Sequence, residues 1–91
     1  MYRITQYTKN KAEDLGVKVK PSKKEGKKID VIKDGEVVAS VGALGMGDYP
    51  TYLREKGKDY AEARRRLYKA RHGGTRKIRG SPSWYADNLL W

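Results

Sequence analysis

The sequence predicts an α+β fold in a single domain, residues 1–91: an N-terminal helix, a small antiparallel sheet of about three strands, then two to three helices packed on the sheet. Three observations predict it. Two β-branched runs flank Asp34-Gly35, the standard pair for a two-residue hairpin turn. VKVKP at 17–21 alternates apolar and polar with period two, as a half-buried strand does. Beyond Pro50 the chain turns to Ala, Glu, Arg, Leu and Lys, all good helix formers, until Gly73-Gly74 supplies a stop.

The first helix covers residues 5–15, with Thr5 or Thr8 as its cap and Gly16 as its end. Its apolar face is thin (Ile4, Tyr7, the Lys11 stem and Leu15, with Ala12 beside them), so it requires packing to persist. Pro21 ends the following strand or places it at a sheet edge, and residues 22–28 form a polar loop. In the hairpin over 28–42 the simplest register sets Lys33 against Glu36, Val31 against Val38 and Ile29 against Ser40. Ile29, Val31 and Val38 then share one face; Ile32, Val37, Ala39 and Val41 share the other, interrupted by Asp30.

The Gly-rich stretch at 42–50 lies between a strand and a helix, where phosphate-cradling loops occur, but it matches neither G-x-G-x-x-G nor G-x-x-x-x-G-K-[ST]. It reads as a turn into a helix capped by Asp48 with Pro50 in the first turn, and Gly57 is a hinge before the next helix. After the basic loop 75–80, Ser81 and Pro82 open a last helix that carries Trp84, Tyr85, Leu89 and Trp91. A helix this apolar must dock, on the core by preference or else on a partner.

Residues 58–79 concentrate the charge. From Arg64 to Arg79 stand Arg64, Arg65, Arg66, Lys69, Arg71, Arg76, Lys77 and Arg79, with no carboxylate between them. Projected at about 100° per residue, Tyr60, Ala61, Ala63, Leu67, Tyr68 and Ala70 fall on one arc and Glu62, Arg65, Arg66, Lys69 and His72 on the opposite side. Arg64 and Arg71 fall inside the apolar arc. Either they snorkel or pair with a carboxylate (Asp87, Asp48 or the terminal carboxylate), or they line a concave site for a phosphate. Arg71, His72 and Arg76 also read as a phosphate clamp, Arg offering a planar fork and His a further donor; against that, His72 suits a helix C-terminus.

Composition narrows the chemistry. Lys and Arg number 21 against 11 Asp and Glu, a net charge of +10, which favours polyanionic partners. There is no Cys and His72 is the single His, which excludes Cys-based zinc sites and sites needing two His from one chain. The carboxylates are scattered among cations, as on a solvated surface, and no set reads as catalytic; no cofactor is implied. No apolar run approaches the roughly 20 residues of a membrane span, and the first residues lack a signal-peptide core. Phe is absent, but seven Tyr and two Trp offer stacking surfaces for bases.

The blocks KKIDVIKDGEVVASVG, DYPTYL, YAEARRRLYKARH and GSPSWYADNLLW, in this order, resemble a family of small uncharacterised basic proteins of large double-stranded DNA viruses (phycodnavirus- and mimivirus-like) and cyanophages. The resemblance covers almost all of residues 2–91. It implies a viral setting, in the virion or the host-cell interior (cytoplasm or nucleus) rather than secretion, with DNA handling or virion structure as the role, and it carries over no catalytic residue. The function expected is therefore non-enzymatic nucleic-acid binding, of DNA ahead of RNA, through Arg64, Arg65, Lys69, Arg71, His72, Arg76, Lys77 and Arg79. The rival expectation is a virion structural or host-targeting protein whose basic face meets an acidic viral or host protein.

Overall fold

A computed structural model describes residues 2–91. The order is α1 (Gln6–Leu15), β1 (Lys18–Pro21), β2 (Lys27–Lys33), β3 (Glu36–Ala43), α2 (Tyr49–Lys56), α3 (Lys58–Arg71), a 3-10 turn (Thr75–Lys77) where an irregular loop was expected, and α4 (Pro82–Leu89). This is the α+β arrangement expected, with the strands in the order β1-β2-β3, both pairs antiparallel.

Local chemistry sets the ends of the helices. Thr5 caps α1, its Oγ1 accepting from the Thr8 amide at 3.3 Å, and Gly16 closes it in the left-handed region at φ 73. Thr8 is not a cap. It is fully buried and donates its hydroxyl to the Leu89 carbonyl at 2.8 Å, so α1 docks through Thr8 and Ala12, with Ile4 and Leu15 of the expected face packed against the core beside them. Asp48 and Ser81 cap α2 and α4 by accepting from the amides of Thr51 and Trp84, each at 3.1 Å, with a proline in the first turn of both helices.

Asp34 and Gly35 both adopt positive φ, 53 and 81, as a tight hairpin turn requires. The simple register does not continue beyond it. Lys33 faces Glu36 and Ile32 faces Val37, but Val31 faces Ala39, Asp30 faces Ser40 and Ile29 faces Val41. A β-bulge at Val38 accounts for the slip. It corrects the expected faces: Ile29, Val31 and Val41 form the core side, while Val37 and Val38 are exposed. The physical gain lies at Asp30, almost fully buried, which now accepts hydrogen bonds from Ser40 at 2.6 Å and Ser22 at 2.5 Å. In the simple register Ala39 would stand opposite that carboxylate and leave it short of a donor.

The core gathers Ile29, Val31 and Val41 from the sheet, Tyr85, Ala86, Leu89 and Leu90 from the end of the chain, Ala12 and Val17 from around α1, and Tyr68 from α3. α4 packs on β3 and on α1, so the last helix docks on the core as expected. α2 and α3 pack on each other, and Tyr68 is the residue by which α3 enters the core.

Candidate nucleic-acid interface

The basic helix α3 is rotated from the face that hydrophobicity assigned to it. Its buried positions are Ala61 and Tyr68. Leu67, 55 % exposed, and Tyr60, 44 % exposed, lie outside. Arg65, expected on the outer side, points inward. Its Nε donates to the Trp91 main-chain oxygen at 2.8 Å and one terminal nitrogen donates to the Tyr7 hydroxyl at 3.0 Å. The other pairs with Glu62 at 3.3 Å, and the guanidinium lies 3.6 Å from the Tyr49 ring centroid. A planar, weakly hydrated cation with its donors satisfied can occupy such a seam where a lysine would not.

Two further expected contact residues are also committed internally. Lys69 Nζ pairs with Asp87 at 2.8 Å. Arg76 reaches the same carboxylate at 3.8 Å and donates from Nε to the Lys69 carbonyl at 3.2 Å. Asp87 thus ties α3 and the 3-10 turn to α4. Of the carboxylates expected as partners for Arg64 or Arg71, Asp87 serves Lys69 and Arg76 instead, and Asp48 serves Lys28.

Arg64, Arg71 and His72 line a cleft of about 270 Å³ whose other walls are the ends of β2 and β3, the loop that leads to Asp48, and α4. Lys27, Lys28 and Asp48 line it too. Lys28 and Asp48 neutralise each other at 3.0 Å, whereas Lys27, Arg64 and Arg71 take part in no ion pair among the described residues. The Arg64 Nε is buried and has no hydrogen-bond partner. Its guanidinium carbon sits 5.4 Å from the centroid of the Tyr52 ring, which holds the side chain in place without satisfying that N–H.

Aromatic rings stiffen the same wall. Tyr68 stacks on Trp91, centroids 4.7 Å apart and planes 10° apart, and His72 lies 4.5 Å from Tyr68 on the helix. Burial, with the Asp87 carboxylate adding to it, pushes the Tyr68 hydroxyl up to about 12, so it remains a neutral donor. Burial by itself would raise the Asp48 carboxyl, but hydrogen bonds from Thr51 and Tyr2 and the Lys28 ammonium outweigh it and hold the carboxyl below its ordinary value. Asp48 is thus an anion whose charge is spent locally.

Lys77 and Arg79 are exposed on the connection to α4, and Arg79 lies 5.8 Å from the Trp84 ring centroid. The eight expected residues therefore separate. Arg64, Arg71 and His72 meet at the cleft, Lys77 and Arg79 are exposed, and Arg65, Lys69 and Arg76 hold the fold together. Lys27, Tyr68 and Trp91 belong to the cleft without having been read as site residues. The bulge that sets the β2–β3 register lies between Lys27 and any local signal of its position, and Tyr68 and Trp91 looked like core.

Among the described residues no group of three or more His, Asp or Glu is placed to hold a metal ion, and no helix is long and apolar enough to cross a membrane. Comparisons of the chain with protein-family models, curated proteins and solved structures find no match.

Proposed function

We propose that this chain is a non-enzymatic nucleic-acid-binding protein that engages phosphates through the cleft side of α3 and the connection to α4. The observation that carries the reading is that Arg64 and Arg71, with Lys27, face one concavity with no carboxylate of their own, on a chain of net charge +10. Cations held without counter-charge raise the local potential, and an anion that enters displaces ordered counterions and gains from their release. Lys77 and Arg79, exposed beyond the helix, extend the positive surface along a strand that leaves the cleft. The resemblance read from the sequence favours DNA as the polymer, in a viral or phage setting within the virion or the host cell.

An acidic viral or host protein is the second reading. It is favoured by the exposed Tyr60 and Leu67, which lie beside Arg64 and Arg71 on α3 and are apolar enough to belong to a protein contact.

Binding of labelled single-stranded DNA, duplex DNA and RNA of several unrelated sequences, across a salt series, tests the proposal. Affinity for at least one polymer class is expected to fall linearly in log–log form, by close to one unit of slope per phosphate neutralised. Absence of binding to all three at low salt would overturn it.

A further inference from the structure

Resting on that reading, we infer that the cleft of Arg64, Arg71, Lys27 and His72 is a phosphate-monoester pocket, which takes the phosphorylated end of a nucleic-acid strand in preference to an internal phosphodiester.

Charge is the first ground. Lys27, Arg64 and Arg71 are unpaired among the described residues, and the carboxylate beside them, Asp48, is matched by Lys28. A phosphodiester carries one negative charge, whereas a terminal phosphate carries about 1.5 to 2 at neutral pH and offers three strong acceptor oxygens. The monoester matches a triple cation better than the diester does, and the additional oxygens find donors in two guanidinium forks, an ammonium and an imidazole.

Shape is the second. Pockets that enclose drug-sized ligands span roughly 300–1,000 Å³. At about 270 Å³, the lower edge of that range, the cleft has room for one phosphate with the sugar that bears it. A continuous backbone would have to enter and leave the concavity; a strand end has only to enter.

The third ground is the fixed position of the Arg64 guanidinium. Arg64 is preorganised by the Tyr52 ring, so little side-chain freedom is lost when the oxygen arrives. The Tyr68–Trp91 stack likewise fixes the wall that carries His72.

The test compares one oligonucleotide with a 5′-phosphate, with a 3′-phosphate and with hydroxyls at both ends, by fluorescence anisotropy, with a nucleoside monophosphate and inorganic phosphate as competitors. One of the phosphorylated forms is expected to bind about tenfold or more tightly than the hydroxyl form, the equivalent of one or two charge-assisted hydrogen bonds. Arg64→Gln is expected to bring that ratio close to one. Because His72 is the single histidine, its ring resonances report on the cleft directly and are expected to shift on titration with inorganic phosphate in the parent. Competition by the free monophosphate but not by inorganic phosphate would show that the sugar contributes; competition by both would show that the phosphate suffices, and either result supports the pocket. Equal affinity for all ends, with His72 unmoved by phosphate, would overturn the pocket even if all three oligonucleotides bind. A parent that fails to bind any oligonucleotide, yet shows a phosphate-dependent His72 shift, would overturn the nucleic-acid reading and leave the anion site standing.

Discussion

Lys28 and Asp48 form an ion pair at 3.0 Å with their side chains only 5 % and 1 % exposed, joining the central strand β2 to the N-cap of α2. Asp48 uses both oxygens. Oδ2 takes Lys28 and the Tyr2 hydroxyl, at 2.7 Å, while Oδ1 caps the helix through the Thr51 amide. Removing it leaves a buried ammonium without a counter-charge, which typically costs about 3–5 kcal/mol, and a helix without its cap. Asp48→Ala is therefore expected to lose stability in that range by chemical denaturation. A loss below about 1 kcal/mol would show that the pair contributes little.

Acid should weaken the fold through the same residue and through Asp30. Hydrogen bonds from Ser22 and Ser40 hold the Asp30 carboxyl below its ordinary value of 3.8, and Asp48 is held below that value as well. For a carboxyl whose folded value is depressed, the unfolded chain binds more protons in the interval between the two values. Its contribution to stability is present above about pH 4 and is lost as the pH falls through the folded value. Tm is expected to drop steeply below about pH 4 and to drop less in Asp30→Asn, which starts from a lower plateau. Identical acid profiles in the two proteins would remove Asp30 from this role.

Neighbouring arginines on α3 should behave oppositely. Arg65 bonds to Trp91, Tyr7 and Glu62 and lies over Tyr49, whereas Arg66 is exposed. Arg65→Ala is expected to cost about 2–3 kcal/mol, from hydrogen bonds to a charged group and lost stacking. Arg66→Ala should stay within about 0.5 kcal/mol of the parent. Equal losses would mean that the helix is rotated otherwise.

Gly42 sits on the cleft wall at φ +82, and a Cβ there would lie 2.8 Å from Leu90 Cδ1 and 3.0 Å from Lys28 Cδ. Gly42→Ala combines backbone strain with a clash against a buried leucine and is expected to cost about 2–4 kcal/mol. An unchanged melting curve would mean that Leu90 packs elsewhere.

Much of this architecture was legible because its signals are local. Asp34-Gly35 marks its own turn, and Thr5, Asp48 and Ser81 mark the helix starts they cap, since each acts within three residues of itself. The bulge at Val38 was not legible. What it achieves, a hydroxyl opposite Asp30 and Val41 opposite Ile29, depends on pairing between strands rather than on any signal at Val38 itself. The face of α3 was misjudged for a related reason. A helical projection scores Leu67 as core and Arg65 as solvent, but a guanidinium can be the inward-facing group once a main-chain oxygen, a hydroxyl and an aromatic face await it. That rotation sends Lys69 to Asp87, which Arg76 also reaches from the 3-10 turn, and leaves Arg64 and Arg71 at the cleft.

The most direct test of the central claim is the salt slope of nucleic-acid affinity in the triple variant Arg71→Gln, Lys77→Gln, Arg79→Gln, compared with the parent on the same oligonucleotide. These side chains are exposed and form no ion pair among the described residues, so the variant should fold as the parent does. If they neutralise phosphates, the log–log slope should become shallower by about two to three units, and affinity at low salt should fall with it. A variant that keeps the parent's slope and affinity at every salt concentration would contradict the assignment of this surface to nucleic acid.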